Sequence, residues 1–182
     1  MNLIEKFLIK KKISSIKLVV LDVDGVLTDG NLYIDSKGNE TKRFNVKDGL
    51  GIKLLQESDI KIALISGGKS DSTIHRAKKL NIKHFYFEVE NKIKVLENLK
   101  NSLGVKKSEV LYIGDDLNDL AVKKSVGIFA VPSDAVKAVK ENANLILTKQ
   151  GGDGAVREIS ELILKSNVSY KKNIKKGWIG KN

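Results

Sequence analysis

The sequence contains no cysteine, which excludes disulfide bonds and thiol chemistry. Any metal must therefore be held by oxygen or histidine, and only His75 and His84 offer an imidazole, which argues against a zinc site. No apolar run approaches the roughly 20 residues of a membrane-spanning helix. Residues 1–12 include the charged Glu5 and no uninterrupted apolar stretch, unlike a secretory signal peptide. We therefore expect a cytoplasmic protein with no membrane partner.

Aromatic residues are also scarce, at 5% of the 182 residues. The net charge of +11 has the sign that attracts nucleic acid. The lysines, however, are scattered along every predicted helix, so we expect no nucleic-acid partner. The charge is better explained by a lysine-rich composition together with attraction of an anionic substrate. The length and a hydrophobic fraction of 41% suit one domain, 1–182, with a good core.

Short apolar runs typical of buried strands alternate with segments of helical periodicity. This alternation predicts an α/β fold: a three-layer, Rossmann-like domain with a central parallel sheet and helices on both faces. Its core spans about 13–165. The predicted strands cover 18–21, 60–65, 82–87, 110–113, 126–130 and 145–147, and the predicted helices cover 3–11, 46–57, 70–80, 91–103, 117–124, 135–142 and 155–165.

Residues 31–45 depart from this alternation. Turn-forming residues at 35–39 separate two short segments, which predicts a protruding β-hairpin. The hairpin directly follows the acidic turn at 22–29. It is therefore either a flap over the acidic residues of that turn or a surface feature that takes no part in the site. The C-terminal tail, 166–182, is polar and lysine-rich.

Polar residues directly follow three of the predicted strands. Asp22 and Asp24 follow the first, Ser66 follows the second, and Asp115 follows the fourth. Ligands of open parallel sheets bind beyond the carboxyl ends of the strands, so these side chains are expected to converge. Adjacent carboxylates repel unless a cation or a shared proton relieves them. An isolated Asp-x-Asp would be read as a helix-capping turn, but the second acidic cluster argues against that.

The residue types indicate magnesium-dependent phosphate chemistry. Hard oxygen ligands without histidine or sulfur select Mg²⁺. A carboxylate can also act as a nucleophile and form an aspartyl phosphate. Ser66 and the amide of Gly67 fit the role of phosphate donors, although serine is also a common helix cap. Lys92 fits the role of a phosphate-binding ammonium, or that of a solvated residue at the start of a helix whose buried face is Ile93, Leu96, Leu99 and Leu103.

Four segments together resemble the motifs of the haloacid dehalogenase superfamily in order and spacing: DVDGVLTDG at 22–30, LISGG at 64–68, Lys92, and GDDLND at 114–119. The resemblance covers roughly 17–164. It implies that Asp22 is the nucleophile and that Asp24 is the general acid/base. It further implies that Asp22, the backbone carbonyl of Asp24 and Asp115 hold Mg²⁺, that Ser66, Gly67 and Lys92 bind the phosphoryl group, and that Asp116 and Asp119 support the metal and the lysine.

Members of that superfamily usually carry a cap domain, for which this chain has no room. Only the hairpin and one helix fit between Asp24 and Ser66, and only one helix and one strand fit between Ser66 and Lys92. The segments FNVKDGLGI at 44–52 and GGDGAVREI at 151–159 resemble the capless branch that contains the 3-deoxy-D-manno-octulosonate 8-phosphate phosphatases.

The resemblance to this branch implies a small anionic sugar-acid phosphate as substrate. It also implies a homotetramer in which the hairpins associate and neighbouring subunits complete the sites; the tail is a further candidate to close them. Carried over by position, the candidate substrate residues are Lys47, Asp48 and Arg76, with Lys69 as a further candidate. The alternative is that they belong to a helix start and a solvated helix face.

Two departures leave the sugar acid open. Gly68 and Asp153 stand where relatives often carry basic residues, and Lys69 is not an equivalent bidentate partner for a carboxylate. A nine-carbon substrate such as an acylneuraminate 9-phosphate is therefore an alternative. A non-catalytic partner of a sugar-acid cytidylyltransferase is another. A phospho-receiver domain is disfavoured, because its acceptor Asp typically follows a middle strand, whereas Asp22 follows the first.

Overall fold

The computed structural model describes residues 9, 11–165, 170–171, 174–175 and 177. The helix predicted over 3–11 and the closing role predicted for the tail, 166–182, fall mostly outside these residues. Within the described part, no helix is long and apolar enough to cross a membrane.

A parallel sheet of six strands forms the centre of the molecule, with strand order β5-β4-β1-β6-β7-β8. Every pairing in this sheet is parallel, as predicted. Two further strands, β2 and β3, pair antiparallel as the predicted hairpin. The strands are β1 (Leu18–Leu21), β2 (Tyr33–Ile34), β3 (Glu40–Thr41), β4 (Lys61–Ile65), β5 (His84–Tyr86), β6 (Val110–Ile113), β7 (Ile128–Val131) and β8 (Leu145–Ile146).

Residues 46–164 contain five α-helices and two 3₁₀-helices, and the last α-helix follows the last strand. Asn45, Ser70 and Asn91 cap three of the α-helices, each with a side-chain oxygen that accepts from a first-turn backbone amide. The α-helices are α1 (Val46–Glu57), α2 (Asp71–Lys79), α3 (Lys92–Leu103), α4 (Lys137–Asn142) and α5 (Ala155–Leu164), and the 3₁₀-helices are Lys107–Glu109 and Leu117–Ser125.

The helices cover both faces of the sheet, which gives the predicted three layers. In β1, Val19 and Leu21 join the core shared with α1, α2 and α5. Leu18 and Val20 point the other way, into the core shared with α3, α4 and the 3₁₀-helix Leu117–Ser125. This alternation explains why β1 reads as a continuous apolar run, because each face of the strand is covered by helices.

The buried face of α3 differs from the prediction at one position. Ile93 was expected on it, but 38% of this residue is exposed. Lys92 is buried in its place, and the spacing of Lys92, Leu96 and Leu99 forms a single helical stripe. The stripe therefore begins with a lysine at the edge of the sheet where the acidic residues lie.

The hairpin projects from the domain and exposes apolar side chains. Its turn is held by Asp35, whose Oδ1 accepts from the backbone amides of Lys37 at 2.8 Å and Asn39 at 2.9 Å. A bridge between Thr28 and Phe44 closes the base of the hairpin. The residues with large exposed apolar side chains here are Leu32, Tyr33, Ile34 and, at the start of α1, Val46.

Candidate active site

The polar residues that follow β1, β4 and β6 meet at one edge of the sheet, as predicted. Strand β1 lies between β4 and β6, so Asp22, Ser66 and Asp115 emerge side by side. They line a cleft of about 350 Å³ together with Asp24 and Asn118. Asn118 was not singled out from the sequence, although it lies within the motif GDDLND. The cleft is the site that the topology predicts for a ligand.

The acidic turn after β1 is shaped by Gly25 and supported by the late glycine motif. Gly25 has φ +76°, and a Cβ there would collide with the carboxylate of Asp115. Glycine therefore permits both the turn and the close approach of the second acidic cluster. From the other side, the amide of Gly152 donates to the carbonyl of Val26 at 3.0 Å. The segment GGDGAVREI thus packs against the turn that carries Asp22 and Asp24 and stabilises it by this hydrogen bond.

Asp22 is buried between a backbone amide and a lysine. Its Oδ1 accepts from the amide of Val23 at 2.7 Å, and its Oδ2 lies 3.0 Å from Nζ of Lys92. The pKa of Asp22 is raised from 3.8 to about 7, chiefly by burial and then by the nearby charge of Asp119, against the opposing effect of Lys92. These two contacts hold the carboxylate in one orientation, and a further positive charge nearby would stabilise its ionised form.

Lys92 is held in place by Asp119, and Asp119 in turn by Tyr112. Nζ of Lys92 and the hydroxyl of Tyr112 both donate to Oδ1 of Asp119 at 2.7 Å, while its Oδ2 accepts from the amide of Asp115 at 3.0 Å. Burial alone would lower the pKa of Lys92, but the charges of Asp22 and Asp119 outweigh it and raise the pKa above its ordinary value. The lysine is therefore charged, as a phosphate-binding ammonium must be.

Tyr112 was missed by the sequence reasoning. It is fully buried in β6, and burial, followed by the charge of Asp119, raises its pKa well above the ordinary value. A signal was present, because a tyrosine in a strand buried on both faces requires a hydrogen-bond partner for its hydroxyl. The sequence gives no means of telling that the partner is Asp119.

Three carboxylates lie close enough to share one cation. One oxygen each from Asp22, Asp115 and Asp119 fall within 4.8 Å of one another. The pKa of Asp115 is raised to about 8, chiefly by burial and then by the charges of Asp22 and Asp119. Asp119 is fully buried and accepts from Lys92, Tyr112 and a backbone amide, whereas Asp22 and Asp115 line the cleft, so these two are the better candidates for direct ligands.

The carboxylate of Asp24 does not join this cluster and instead pairs with Lys42. Nζ of Lys42 donates to both oxygens of Asp24, at 2.7 and 2.9 Å. Lys42 comes from the hairpin and was not identified from the sequence. In the structure Thr41 and Arg43 on either side are exposed, as expected for the alternation of an extended arm, but residues 40–43 are all polar and gave no signal that Lys42 faces inward.

Ser66 is positioned by the end of β4. Its amide donates to the carbonyl of Tyr86 at 3.0 Å, and its hydroxyl oxygen accepts from the amide of Gly68 at 3.2 Å. The hydroxyl hydrogen can therefore be donated into the cleft, which the exposed Gly67 also lines. Asp116 caps the 3₁₀-helix that follows β6, with Oδ1 accepting from the amide of Leu117 at 2.6 Å.

Asp48, a candidate substrate residue, makes structural contacts in α1. Its carboxylate accepts from the amides of Gly154 at 3.2 Å and Arg157 at 2.8 Å, and so caps the start of α5. Burial raises its pKa, against the effect of these hydrogen bonds. Asp48 therefore has a structural role as a helix cap, and its role in substrate binding stays a prediction.

Of the other substrate candidates, one is half-buried and two are exposed. Arg76 donates to the carbonyl of Asn45 at 3.0 Å and lies over the ring of Phe44, which fixes the junction of the hairpin and α1. Lys47 is exposed at the start of α1. Lys69 is exposed and pairs with Glu88 at 2.9 Å. Such an exposed ion pair is weak and can exchange for an anionic ligand.

Comparison with solved structures shows close similarity over nearly the whole chain. A putative haloacid dehalogenase superfamily (subfamily III A) hydrolase from Legionella pneumophila is 41% identical, with a TM-score of 0.91 and 94% of each chain covered. The 3-deoxy-D-manno-octulosonate 8-phosphate phosphatase from Moraxella catarrhalis, solved with magnesium, phosphate and KDO, is 39% identical, with a TM-score of 0.89. That match covers 93% of this chain and 98% of the other.

Sequence comparison agrees. The 3-deoxy-D-manno-octulosonate 8-phosphate phosphatase KdsC of Escherichia coli K12 is 43% identical over 108 residues, or 59% of this chain. The match spans 57% of the length of that relative. The model of the haloacid dehalogenase-like hydrolase family matches residues 33–132. The chain therefore belongs to the haloacid dehalogenase-like hydrolases.

Proposed function

We propose that the protein is a Mg²⁺-dependent phosphatase that hydrolyses 3-deoxy-D-manno-octulosonate 8-phosphate to KDO and phosphate, a step in lipopolysaccharide precursor synthesis. The observation that carries this proposal is the buried group of Asp22, Asp115 and Lys92 at the ends of adjacent parallel strands. The similarity to phosphatases of this substrate supports the choice of sugar acid.

The residues fit a magnesium ion. Asp22 and Asp115 offer hard oxygen atoms, and the pKa of each is raised by burial and by neighbouring carboxylates, effects that a bound cation would oppose. Asp22, Asp115 and the backbone carbonyl of Asp24 would hold the ion. When bound, Mg²⁺ supplies charge neutralisation for the phosphoryl oxygens.

The proposed reaction has two steps, both carried by side chains of the acidic turn. In the first, an oxygen of Asp22 attacks phosphorus, the bond from phosphorus to the sugar oxygen breaks, and that oxygen takes a proton from Asp24. In the second, Asp24 removes a proton from a water that attacks the aspartyl phosphate. The bond to Asp22 breaks and inorganic phosphate leaves.

Ser66, the amide of Gly67 and Lys92 hold the phosphoryl group during both steps. Phosphoryl transfer depends mainly on positioning and charge stabilisation, so their value lies in being fixed beforehand. Lys92 meets this condition because Asp119 fixes its ammonium, and Ser66 meets it through its contact with Gly68. Asp116 and Asp119 act by supporting the metal and the lysine.

The sugar acid is recognised outside this core, and here a nine-carbon acid phosphate is the second candidate. Gly68, where relatives often carry a basic residue, lies beside Asp24: a Cβ built on it would have Asp24 Oδ2 as its nearest neighbour at 3.4 Å. We propose Lys47, Lys69 and Arg76 as the residues that attract the sugar carboxylate, with Asp48 beside them. Lys69 is placed next to Gly68 but binds as a point charge rather than as a fork.

We further propose a single cytoplasmic domain that assembles as a homotetramer, with neighbouring subunits completing each site. No cap domain is present among the described residues, so the cleft depends on another element to exclude water. The hairpin supports this proposal, because half or more of each of Leu32, Tyr33 and Ile34 is exposed. Such a patch is expected at a protein–protein contact.

Phosphate release from the eight-carbon and nine-carbon acid phosphates, with and without Mg²⁺, tests the proposal. We expect Mg²⁺-dependent turnover with a higher kcat/KM on the eight-carbon acid. Asp22→Asn should lower kcat by about 10³-fold or more, since the nucleophile is lost. Asp59→Asn, an exposed carboxylate before β4 and thus at the opposite edge of the sheet, is the matched control and should not change kcat.

Two results would contradict the proposal. A higher kcat/KM on the nine-carbon acid phosphate would reassign the substrate. No hydrolysis of any phosphomonoester with Mg²⁺, together with Asp22→Asn behaving as the wild type, would favour a non-catalytic partner of a cytidylyltransferase.

A further inference from the structure

A buried lysine joins the hairpin to the acidic turn. Lys42 lies between β3 and α1, and only 3% of its side chain is exposed, although Thr41 and Arg43 on either side are exposed. Its ammonium contacts both oxygens of Asp24, at 2.7 and 2.9 Å, and Oε1 of Glu40 at 3.2 Å. The arm of the hairpin thus directs one cation into the catalytic edge of the sheet.

A stabilising role does not explain this arrangement well. Removing the ammonium of Lys42 from water is unfavourable, and its ion pair with Asp24 offsets little of that cost because 35% of the Asp24 side chain is exposed. The arrangement does restrict Asp24. Two contacts from one ammonium, with Oγ1 of Thr28 at 3.4 Å from Oδ1, leave the carboxylate little freedom to rotate.

We propose that Lys42 is a positioning residue that orients Asp24 for proton transfer, so that the hairpin takes part in the chemistry. The proposal rests on the phosphatase function proposed above. Lys42 touches neither the nucleophile nor the phosphate-binding Ser66 in this arrangement, and it acts through Asp24. Because a displacement of about 1 Å lowers the rate of a positioned group by about 10²-fold, the orientation is worth holding.

The two steps of the reaction use Asp24 differently, so a misoriented Asp24 should slow one step more than the other, and kinetics can detect this difference. Release of p-nitrophenolate needs little protonation, so formation of the aspartyl phosphate from p-nitrophenyl phosphate depends weakly on Asp24. Hydrolysis of that intermediate needs Asp24 as a base. If Asp24 is misoriented, the enzyme should therefore release one equivalent of p-nitrophenol per site quickly and then turn over slowly.

The test compares Lys42→Met with Arg43→Met in the full chain. Arg43 is the matched control, since it is the adjacent cation and also pairs with a carboxylate, Asp29 at 2.9 Å, but has a side chain that is 60% exposed. On p-nitrophenyl phosphate, Lys42→Met should keep the burst and lower the steady-state rate by about 10- to 100-fold. On 3-deoxy-D-manno-octulosonate 8-phosphate it should lower kcat by a similar factor and leave KM unchanged. Arg43→Met should behave as the wild type.

A double-mutant cycle tests whether Lys42 acts through Asp24. In an Asp24→Asn background, Lys42→Met should cause no further loss of kcat, because the group that it orients is no longer a proton carrier. Lys42→Arg, which retains a cation, should recover most of the activity. Should Lys42→Met fail to fold in thermal unfolding, Lys42→Gln replaces it and should show the same burst.

The outcomes separate the two proposals. A wild type without Mg²⁺-dependent hydrolysis would overturn the phosphatase function and this inference together. An active wild type overturns the positioning role alone if Lys42→Met matches Arg43→Met, if the losses from Lys42→Met and Asp24→Asn are additive, or if KM rises while kcat is kept. The last result would make Lys42 a substrate-binding residue.

Discussion

Replacing Asp22 by Asn should stabilise the metal-free protein while it abolishes activity, and the stabilisation should depend on pH. The folded state raises the pKa of Asp22 from 3.8 to about 7, chiefly by burial and then by the charge of Asp119. A raised carboxyl pKa means that ionisation opposes folding. The wild type therefore loses stability as the pH rises from about 4 to about 7, whereas the Asn variant has no such group.

The magnitude follows from the same pKa. Between about pH 5.5 and the folded-state pKa of about 7 lie roughly 1.5 pH units, and each is worth about 1.4 kcal/mol. The wild type should thus lose about 2 kcal/mol relative to the variant between about pH 5.5 and about pH 8. For a chain of this size, 1 kcal/mol corresponds to about 2–4 °C in Tm, so the Tm difference should grow by about 4–8 °C.

The assay is thermal unfolding followed by circular dichroism, with EDTA present at both pH values. Asp59→Asn, at an exposed position remote from the cleft, is the control and should show the same Tm difference from the wild type at both. A Tm difference between Asp22→Asn and the wild type that does not change with pH would refute the reasoning. So would a variant that is less stable than the wild type at about pH 8.

Three further predictions concern the metal and two buried hydrogen-bonded groups. Mg²⁺ at about 100 times its Kd at about pH 8 should stabilise the protein by about 2.7 kcal/mol at that pH. The same concentration should stabilise it by less at about pH 5.5, where protons compete for Asp22 and Asp115; equal Tm shifts would count against the metal site. Asp48→Ala should lower the free energy of unfolding by about 1–2 kcal/mol through loss of the α5 cap, and an increase in KM without destabilisation would show a substrate role instead. Tyr112→Phe should lower that free energy by about 1–3 kcal/mol and reduce kcat, because Asp119 loses a donor; denaturant unfolding and steady-state kinetics measure both, and unchanged kcat would remove Tyr112 from the support of Lys92.

The architecture was largely predictable because it follows from local patterns. The bounds of β1, β6 and α1 agree with the predicted segments, since the two strands are buried apolar runs and α1 begins directly after its cap, Asn45. The convergence of Asp22, Ser66 and Asp115 was predictable for a related reason. Residues that directly follow parallel strands must lie at one edge of the sheet, whichever strands are neighbours.

The contacts that complete the site were not predictable in the same way. Periodicity assigns a side chain to a face, but it does not name the partner that the face meets. Lys42 and Asp24, Tyr112 and Asp119, and α1 and α5 meet only when the sheet, the hairpin and the helices are assembled.

The amino-acid sequence by itself determined the parallel α/β sheet and the set of acidic groups at its edge, because strand ends and polar residues coincide along the chain. Only the tertiary structure decided how those groups are held. It gave Lys92 two carboxylates, gave Asp24 a lysine from the hairpin, and made Asp48 a helix cap. The physical reason is that a buried charge must be paired, and its partner is whichever group the packing of distant segments brings within about 3 Å.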